Sequence, residues 1–345
     1  MSTVTHHHAV GPLLEVRDLV VRYLTPAGPV TAVDDVSLVL HRGEALGVVG
    51  ESGCGKSTLA RALLRILPAQ TDVGGRVLLE GMDLLRLRED QMRRVRWARM
   101  ALVPQSSMNA LNPVHRVGDQ IVEAIRAHRP ISPTAARRQA QALLQTVGLD
   151  AGRFTSYPHQ LSGGQRQRVV IAMALALQPQ VLIADEPTTA LDVITQHAIV
   201  RELIHLRRSL GVAVLYISHD ISLVAQTCDR IAVMYAGRLV EVGPTRQVLR
   251  YPAHPYTMGL RNAFPDLRRT GRLISISGAP PSLSGEMRGC PFQPRCPFAV
   301  EACTTIRPPL LPGEGGVLTA CHRAAEASAL RVLAEDERLW EQVPA

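Results

Sequence analysis

Short apolar runs and longer helical patterns alternate along residues 13–255. Four of the runs are apolar throughout, which predicts strands buried on both faces. These runs are residues 45–49, 100–103, 181–184 and 212–217. Buried strands that alternate with helices are typical of a mostly parallel sheet flanked by helices. We therefore predict an α/β fold for this part of the chain.

The two segments nearest the beginning of the chain have a different pattern. Residues 14–23 and 31–40 alternate more regularly between apolar and polar positions, and Gly28 and Pro29 lie between them. Alternation indicates strands with one solvated face, and a Gly-Pro pair is typical of a turn. The pattern predicts an antiparallel pair of strands with its turn at Gly28 and Pro29.

The composition of the chain changes from Pro252 onward. Pro and Gly become frequent, four of the six cysteines occur here, and regular periodicity returns only in a final helical stretch near residues 324–340. Loss of periodicity together with dense Pro and Gly indicates irregular structure. We place a domain boundary near residue 256, between a core of residues 13–255 and a small, irregular, Cys-rich extension of residues 256–345.

The overall composition is that of a globular protein, with 46% hydrophobic and 20% charged residues. The net charge of +8 would suit an anionic partner, but only 3% of residues are aromatic, which argues against stacking of nucleic-acid bases. Of the 38 Lys and Arg residues, only Lys56 is a lysine. The longest apolar run, residues 169–177, is far shorter than the roughly twenty residues that cross a bilayer. We therefore expect a cytosolic chain.

A glycine-rich segment follows the run at residues 45–49 and opens a helical pattern. Two glycines separated by four residues and followed by Lys56 and Ser57 fit the P-loop pattern, with a chance glycine turn as the alternative. Glycine-rich backbone can form an anion nest, and the helix N-terminus adds its dipole. Lys56 can bridge the β- and γ-phosphates of ATP, and Ser57 can bind Mg²⁺. The predicted ATP-binding residues of this loop are Gly50, Glu51, Ser52, Gly53, Cys54, Gly55, Lys56, Ser57 and Thr58.

Two adjacent acids follow the run at residues 181–184. A carboxylate at the carboxyl end of a parallel strand lies near the mouth of a P-loop, where Mg²⁺ binds. We predict that Asp185 lies on the metal side and that Glu186 is the base that polarises the attacking water. Taken alone, the pair would be equally typical of a helix N-cap.

The segment Leu161-Ser-Gly-Gly-Gln165 precedes a strongly helical pattern and by itself predicts only a Ser N-cap. The chain as a whole, however, resembles the nucleotide-binding subunits of ABC transporters, in which this segment is the signature motif. The order of elements agrees with that family: the P-loop, Gln105 after a strand, the signature, Asp185 and Glu186, Asp192, and His219. The resemblance implies a P-loop ABC-type fold with a mixed sheet and a helical subdomain at about residues 106–165.

The resemblance also implies roles that the spacing of residues does not give. Tyr23 aligns with the aromatic residue that stacks on adenine, although an edge-strand tyrosine packed on the core would look the same. Gln105 resembles the glutamine that senses Mg²⁺ and couples to the membrane subunits. Asp192 resembles the residue that contacts the opposite P-loop, and His219 resembles the histidine that hydrogen-bonds the γ-phosphate. The signature residues expected to close on ATP held by a second subunit are Ser162, Gly163, Gly164 and Gln165.

The late cysteines are Cys290, Cys296, Cys303 and Cys321. A cytosolic setting disfavours disulfides, and the spacing lacks the C-x-x-C typical of zinc sites, so the residues alone leave open an iron–sulfur cluster, zinc or free thiols. The segments G-C-P-F-x-P-R-C-P and A-C-H, together with Y-P-x-H-P-Y-T at residues 251–257, resemble the C-terminal extension of oligopeptide/dipeptide importer ATPases. That resemblance implies a [4Fe–4S] cluster, with zinc as the alternative.

The family resemblance implies an ATPase that drives uptake of oligopeptides or dipeptides from the cytoplasmic face of the membrane. The expected partners are a second ATPase subunit, most simply a paralogue, two transmembrane permease subunits and a solute-binding protein, but no nucleic acid. Nickel, opine and glutathione importers share this ATPase group and are alternative assignments. A soluble ABC ATPase acting in DNA repair or translation would be expected to carry coiled coils or a second P-loop, which the sequence lacks.

Overall fold

The computed structural model of the chain describes residues 11–105, 110–189, 191–263, 274–285 and 287–341. The strands are β1 (Leu14–Thr25), β2 (Gly28–Leu40), β3 (Ala45–Val49), β4 (Thr71–Leu79), β5 (Met82–Asp83), β6 (Met100–Val103), β7 (Val181–Asp185), β8 (Ala213–Ser218), β9 (Arg230–Tyr235), β10 (Arg238–Pro244), β11 (Leu311–Pro312) and β12 (Leu318–Thr319). The helices are α1 (Lys56–Leu63), α2 (Glu89–Val95), α3 (Val117–His128), α4 (Pro133–Thr146), α5 (Gly163–Leu175), α6 (Val193–Leu210), α7 (Ile221–Thr227), α8 (Thr245–Arg250), α9 (Pro255–Asn262), α10 (Ala302–Thr305), α11 (Ala327–Leu333) and α12 (Glu337–Glu341).

The main sheet has eight strands in the order β11-β12-β10-β9-β3-β8-β7-β6. Its centre, from β9 to β6, is parallel, whereas β10, β12 and β11 add antiparallel pairs at one edge. Every residue of β3, β7 and β8 is buried. The prediction of strands buried on both faces is confirmed for these three, with β7 ending one residue later and β8 shifted by one residue.

A second sheet lies over one face of the main sheet. It is antiparallel, in the order β2-β1-β4-β5. Side chains of β3 alternate between two cores: Leu46 and Val48 pack with this second sheet and α1, whereas Ala45 and Val49 pack with the helices and the C-terminal part of the chain. The P-loop segment that follows β3 is therefore anchored by packing on both sides.

The turn of the first hairpin is not where the sequence pattern placed it. Strand β2 begins at Gly28, which pairs with Thr25, so the turn is formed by Pro26 and Ala27. The proline ring restricts φ of Pro26 to about the value that the first central turn position requires. Gly28 takes a φ of 111°, directly after the turn. The prediction of Gly28 and Pro29 as the turn was wrong by two residues, while the antiparallel pairing is confirmed.

Helices α3 and α4 pack on each other and on α5. They lie within the predicted helical subdomain at about residues 106–165, of which residues 106–109 fall outside the described part of the chain. Arg137 lies over the ring of Phe154, 4.4 Å from its centroid, and Gly118 faces the same ring closely enough that a Cβ would come within 2.3 Å of it. This packing joins α3 and α4 to the short helical turn that holds Phe154.

The C-terminal part of the chain consists of short elements that return to the core. Strand β12 pairs with β10, and Trp340 of α12 is fully buried against Phe298 and Gly259. The final helical stretch predicted near residues 324–340 is present, but it is divided, because α11 and α12 are separated at residues 334–336. Asp336 accepts a hydrogen bond from the backbone N–H of Arg338, and such local bonds interrupt a helix.

The helices in the described residues are all too short or too polar to cross a membrane.

Candidate active site

The loop between β3 and α1 has a backbone that only glycine can adopt. Gly53 and Gly55 have φ angles of 81° and 105°. A Cβ on Gly55 would lie 2.0 Å from the carbonyl oxygen of Ala32, and one on Gly50 would lie 2.1 Å from that of Met234. The glycines are therefore required both by conformation and by close backbone contact. They bring the loop to the N-terminus of α1, where backbone N–H groups and the helix dipole favour an anion.

Lys56, the single lysine of the chain, is buried within this loop. Its Nζ donates hydrogen bonds of 2.8 Å to the carbonyl oxygens of Gly50 and Glu51. Cys54 lies beside it, with 3.7 Å between Sγ and Nζ. Burial raises the pKa of Cys54 despite the nearby ammonium, so the thiol stays neutral. The loop thus holds one positive charge and no competing thiolate.

Ser57 and Asp185 meet at the mouth of the loop. The Ser57 hydroxyl donates a 3.0 Å hydrogen bond to Oδ1 of Asp185. Burial raises the pKa of Asp185, and the bond from Ser57 opposes that rise. A hydroxyl and a carboxylate are oxygen ligands of the kind Mg²⁺ prefers, and the adjacent P-loop would supply the phosphate. The residues present therefore fit a magnesium site.

Glu186 is the centre of a hydrogen-bond cluster. Its Oε2 accepts bonds from Gln105 Nε2 at 2.9 Å and from the Thr189 hydroxyl at 3.0 Å, and its Oε1 lies 3.1 Å from Nδ1 of His219. Burial opposes ionisation of Glu186, but the bonds from His219 and Thr189 outweigh it, so the pKa lies below its ordinary value. The carboxyl is ionised at neutral pH and can accept a proton from water.

The cluster brings together three of the residues predicted from the sequence: Gln105, Glu186 and His219. It also contains Thr189, which the sequence analysis did not identify. The signal for it was available, because a hydroxyl residue three positions after an acid can reach back to the carboxylate, as in local side-chain turns. Glu186 itself has a φ of 46°, an uncommon conformation for a residue with a side chain. Strain of this kind is concentrated at functional sites.

Tyr23 lies next to the first turn of α1. Its hydroxyl is 3.1 Å from Oγ1 of Thr58, and its side chain is half-buried on β1. The structure thus places the predicted adenine-stacking residue beside the P-loop helix. The same hydrogen bond joins β1 of the second sheet to α1, so the tyrosine has a structural role as well.

The signature segment caps α5. The Ser162 hydroxyl accepts a bond from the backbone N–H of Gln165, whose side chain accepts one from the N–H of Ser162. This reciprocal capping box confirms the N-cap prediction.

Helix α6 begins beside the signature. Asp192 is its N-cap and accepts bonds from the backbone N–H and the hydroxyl of Thr195. Its pKa is lowered, first by the backbone N–H of Thr195 and then by its hydroxyl. A Cβ on Gly164 would lie 2.4 Å from Cγ2 of Thr195. Signature and Asp192 therefore form one surface, and within the described residues no hydrogen bond joins that surface to residues 50–58.

The four late cysteines converge. Cys290, Cys296, Cys303 and Cys321 all line one cavity of about 10 Å³, room for a single water molecule. Burial raises the pKa of Cys290, of Cys296 and of Cys321, the last to about 11. In the described residues no three His, Cys, Asp or Glu side chains are close enough to hold one metal ion. The expected metal cluster thus has its four thiols at one place, but not arranged around a single ion.

A strand–loop–helix cradle for phosphate, with an ionised carboxylate at the end of a parallel strand two positions away in the same sheet, defines a class of protein: the site is that of an ATP-binding cassette ATPase. Solved structures agree with this class. The dimeric, post-hydrolysis structure of the ATP-binding cassette MJ0796 bound to ADP and Pi has a TM-score of 0.61, is 27% identical, and covers 68% of this chain and 99% of its own. The cbiO1 structure from Clostridium perfringens has a TM-score of 0.60 at 28% identity, covering 70% of this chain and 92% of its own.

Sequence comparisons narrow the class. The family described as ABC transporter matches residues 33–189, and the family described as Oligopeptide/dipeptide transporter, C-terminal region, matches residues 240–303. The probable peptide ABC transporter ATP-binding protein y4tR of Sinorhizobium fredii is 46% identical, covering 91% of this chain and 96% of its own. The oligopeptide transport ATP-binding protein OppD of Salmonella typhimurium is 45% identical (91% and 94%), and the dipeptide transport ATP-binding protein DppD of Bacillus subtilis is 44% identical (86% and 90%). The chain belongs to the family of oligopeptide and dipeptide transport ATP-binding proteins, and it is an ABC-type ATPase.

Proposed function

We propose that this chain is the ATP-hydrolysing subunit of an importer that takes up oligopeptides or dipeptides across the cytoplasmic membrane. The observation that carries the proposal is the similarity to OppD, which extends over 91% of the chain and so includes both the ATPase core and the C-terminal extension. The relatives described above have peptides, not nickel, opines or glutathione, in their names. Their names therefore favour peptides as the cargo.

The proposed catalytic unit is a pair of subunits. ATP held by residues 50–58 of one subunit would be covered by residues 162–165 of the other, with Asp192 contacting the opposite P-loop. Support comes from the exposed surface formed by the signature and Asp192, and from the dimeric form of the similar MJ0796 structure. A capped helix N-terminus can stabilise γ-phosphate charge only when the interface is closed. ATP binding would therefore drive closure, and hydrolysis would permit opening.

The chemical step rests on the Glu186 cluster. Glu186 would accept a proton from the water that attacks the γ-phosphate, while His219 and Gln105 keep its carboxylate oriented and hydrogen-bond the phosphate or the metal. Lys56 would move from the loop carbonyls to the β- and γ-phosphates, so Lys56→Ala should lose turnover. Mg²⁺ held by Ser57 and Asp185 would neutralise charge on those phosphates.

The partners and location follow from the same proposal. The chain would bind a second ATPase subunit, most simply a paralogue, and two permease subunits at the cytoplasmic face of the membrane, with a solute-binding protein outside. Residues 13–255 would form the ATPase domain and residues 256–345 the extension. The two parts are joined by β10, whose Glu241 and Val242 pair with Thr319 and Leu318 of β12.

Purification of the complex tests this function. The tagged chain, expressed with its neighbouring genes, should copurify with two hydrophobic membrane proteins. In vesicles, its ATPase should rise when the solute-binding protein carries peptide, and it should not respond to nickel ions, opines or glutathione. Copurification with a nucleic-acid-processing assembly, or stimulation by one of those other cargoes alone, would overturn the proposal.

We also propose that Cys290, Cys296, Cys303 and Cys321 hold a [4Fe–4S] cluster. The donor set supports it: four thiols line one cavity, and the backbone N–H of Arg323 donates to Sγ of Cys321 at 3.4 Å, a contact common around such clusters. In the described residues the thiols are not arranged around a metal, so either the cluster or zinc, the alternative, would require them to move. When bound, the cluster would tie together the separate segments that carry these thiolates.

Metal analysis tests the cluster. Protein purified without oxygen should contain iron and acid-labile sulfide, and Cys290→Ser and Cys303→Ser should lose both. Cys228→Ser is the control, because Cys228 is buried in the core near α7, and should keep them. Zinc in place of iron, or iron that survives both substitutions, would refute the assignment.

A further inference from the structure

Arg295 of the cysteine segment reaches the P-loop. It lies between Cys290 and Cys296 in sequence, and its side chain is only 6% exposed. Its Nη1 and Nη2 donate to Oε2 and Oε1 of Glu51 at 2.7 and 3.1 Å, a two-pronged ion pair. Glu51 is the second residue of the P-loop. The extension and the ATP site are therefore in direct, charged contact.

The guanidinium of Arg295 is fixed on its other sides as well. Nη1 also donates to the hydroxyl of Tyr235, Nε donates to the carbonyl oxygen of Ser277, and Nη2 donates to that of Ile276. Burial opposes its charge, but the bonds to Glu51 and Tyr235 raise its pKa. A guanidinium held at every nitrogen is a rigid support, and its planar fork gives direction as well as charge.

Glu51 is in turn linked to Lys56. Its backbone N–H donates to the hydroxyl of Tyr256 at 2.9 Å, and its carbonyl oxygen accepts the bond from Lys56. Glu51 is thus hydrogen-bonded through its side chain to Arg295, through its N–H to Tyr256 and through its carbonyl oxygen to Lys56. The orientation of the peptide that holds the Lys56 ammonium depends on contacts made by the extension.

An aromatic cluster beneath the loop adds to this support. The rings of Tyr235, Tyr256 and Phe292 lie 4.6 to 5.4 Å apart between centroids, and all three side chains are buried. Phe292 belongs to the cysteine segment, three residues before Arg295. The same short segment thus supplies the ring of Phe292 and the guanidinium of Arg295. A shift of this segment would therefore change both the packing beneath the P-loop and the hydrogen bonds to it.

We infer that Arg295 is a positioning residue for ATP hydrolysis: through Glu51 it sets the P-loop backbone and the Lys56 ammonium, so the conformation of the cysteine segment governs nucleotide affinity. The inference rests on the proposed role of the P-loop in this chain. It does not require the cysteines to hold a metal.

The test uses the assembled complex and the variants Arg295→Met, Glu51→Gln and the double substitution. Arg295→Met keeps most of the side-chain length without the charge, and Arg338→Met is the control, because Arg338 is an exposed arginine of the same extension. We expect the KM for ATP to rise about tenfold in Arg295→Met with a smaller change in kcat, and amides of residues 50–57 to exchange hydrogen faster. The double variant should be no worse than Arg295→Met alone, because each change breaks the same pair.

The number of titratable thiols and the thermal midpoint of unfolding are measured for each variant. Values equal to those of the wild type show that the KM changes through positioning and not through a general loss of structure. If the complex with Arg295→Met does not assemble, Arg295→Lys and Glu51→Gln are measured instead. Lysine cannot make the two-pronged contact with Glu51, so Arg295→Lys should still show part of the rise in the KM for ATP. An unchanged KM with unchanged exchange, or additive effects in the double variant, would overturn the inference. A wild-type complex without ATPase would instead overturn the proposed function.

Discussion

Glu186 combines two opposed influences at the scale of a single residue. Burial disfavours its charge, whereas hydrogen bonds from His219 and Thr189 favour it, and the pKa ends below the ordinary value. Gln105 adds a third bond, to the oxygen that Thr189 also contacts. The carboxylate of Glu186, the proposed base, is thus ionised and oriented before substrate arrives, which is the state that general-base catalysis requires.

Thr189→Val is the substitution that probes this balance. It keeps the shape of the side chain but removes a donor to the carboxylate, so the pKa of Glu186 should rise. Since the base works only when ionised, the acid limb of the pH–rate profile should move to higher pH, and turnover should fall more under acidic than under neutral conditions. Thr155→Val, at an exposed position of the helical subdomain, should leave the profile unchanged. An unshifted acid limb in Thr189→Val would contradict this account of the pKa.

At the scale of elements, α5 and α6 meet where the signature begins. Gly164 faces Cγ2 of Thr195 at a distance that leaves no room for a Cβ, whereas a Cβ on Gly163 would lie 3.4 Å from Leu191. Thr195 cannot turn away freely, because its hydroxyl donates to Asp192. Gly164 of the signature thus sets how closely the two helices approach.

Gly164→Ala should therefore cost about 1–3 kcal/mol of unfolding free energy and lower ATPase several-fold, more than Gly163→Ala does. Thr195→Ser removes the blocking methyl group and keeps the hydroxyl for Asp192. The pair Gly164→Ala and Thr195→Ser should recover most of the stability, measured by urea unfolding. If the second substitution gave no recovery, steric contact with Thr195 would not be the reason for glycine here.

Sequence patterns predicted the central elements well because their causes are local. Strands β3, β7 and β8 are apolar almost throughout, and the glycine–lysine spacing of the P-loop is required by backbone geometry. The hairpin turn was misplaced because Pro26 forms it, whereas the Gly28-Pro29 pair, although typical of a turn, belongs to β2. The Glu51–Arg295 pair spans 244 residues, and no local pattern indicates such a contact.

At the scale of the whole molecule, β10 joins the main sheet to the C-terminal part of the chain through β12, and it carries a buried acid. Glu241 is 0% exposed, and burial raises its pKa to about 7, although the N–H groups of Ala253 and His254 donate to its carboxylate at 2.8 and 3.0 Å. Residues 253 and 254 lead into α9. The acid therefore connects β10 of the main sheet to the residues that lead into α9.

Glu241 should make stability depend on pH. Its folded-state pKa is above the ordinary value of 4.5, so the folded protein binds the proton more tightly than the unfolded chain. Stability from this group is complete below about pH 4.5 and falls as the pH rises toward 7, by about 3 kcal/mol in total. Glu241→Gln should lack this decline in urea unfolding measured across that range, whereas Glu301→Gln, an exposed change in the extension, should keep it. Equal pH dependence in wild type and Glu241→Gln would contradict the assignment.

The central claim, hydrolysis by Glu186 between two subunits, is tested most directly by Glu186→Gln in the assembled complex. Loss of the base should reduce steady-state ATPase by about 100-fold or more, and the complex should retain two ATP molecules in a closed pair of ATPase subunits, measured by nucleotide retention after gel filtration. The exposed change Glu314→Gln should leave both quantities at the wild-type level. Unchanged ATPase in Glu186→Gln would contradict the account.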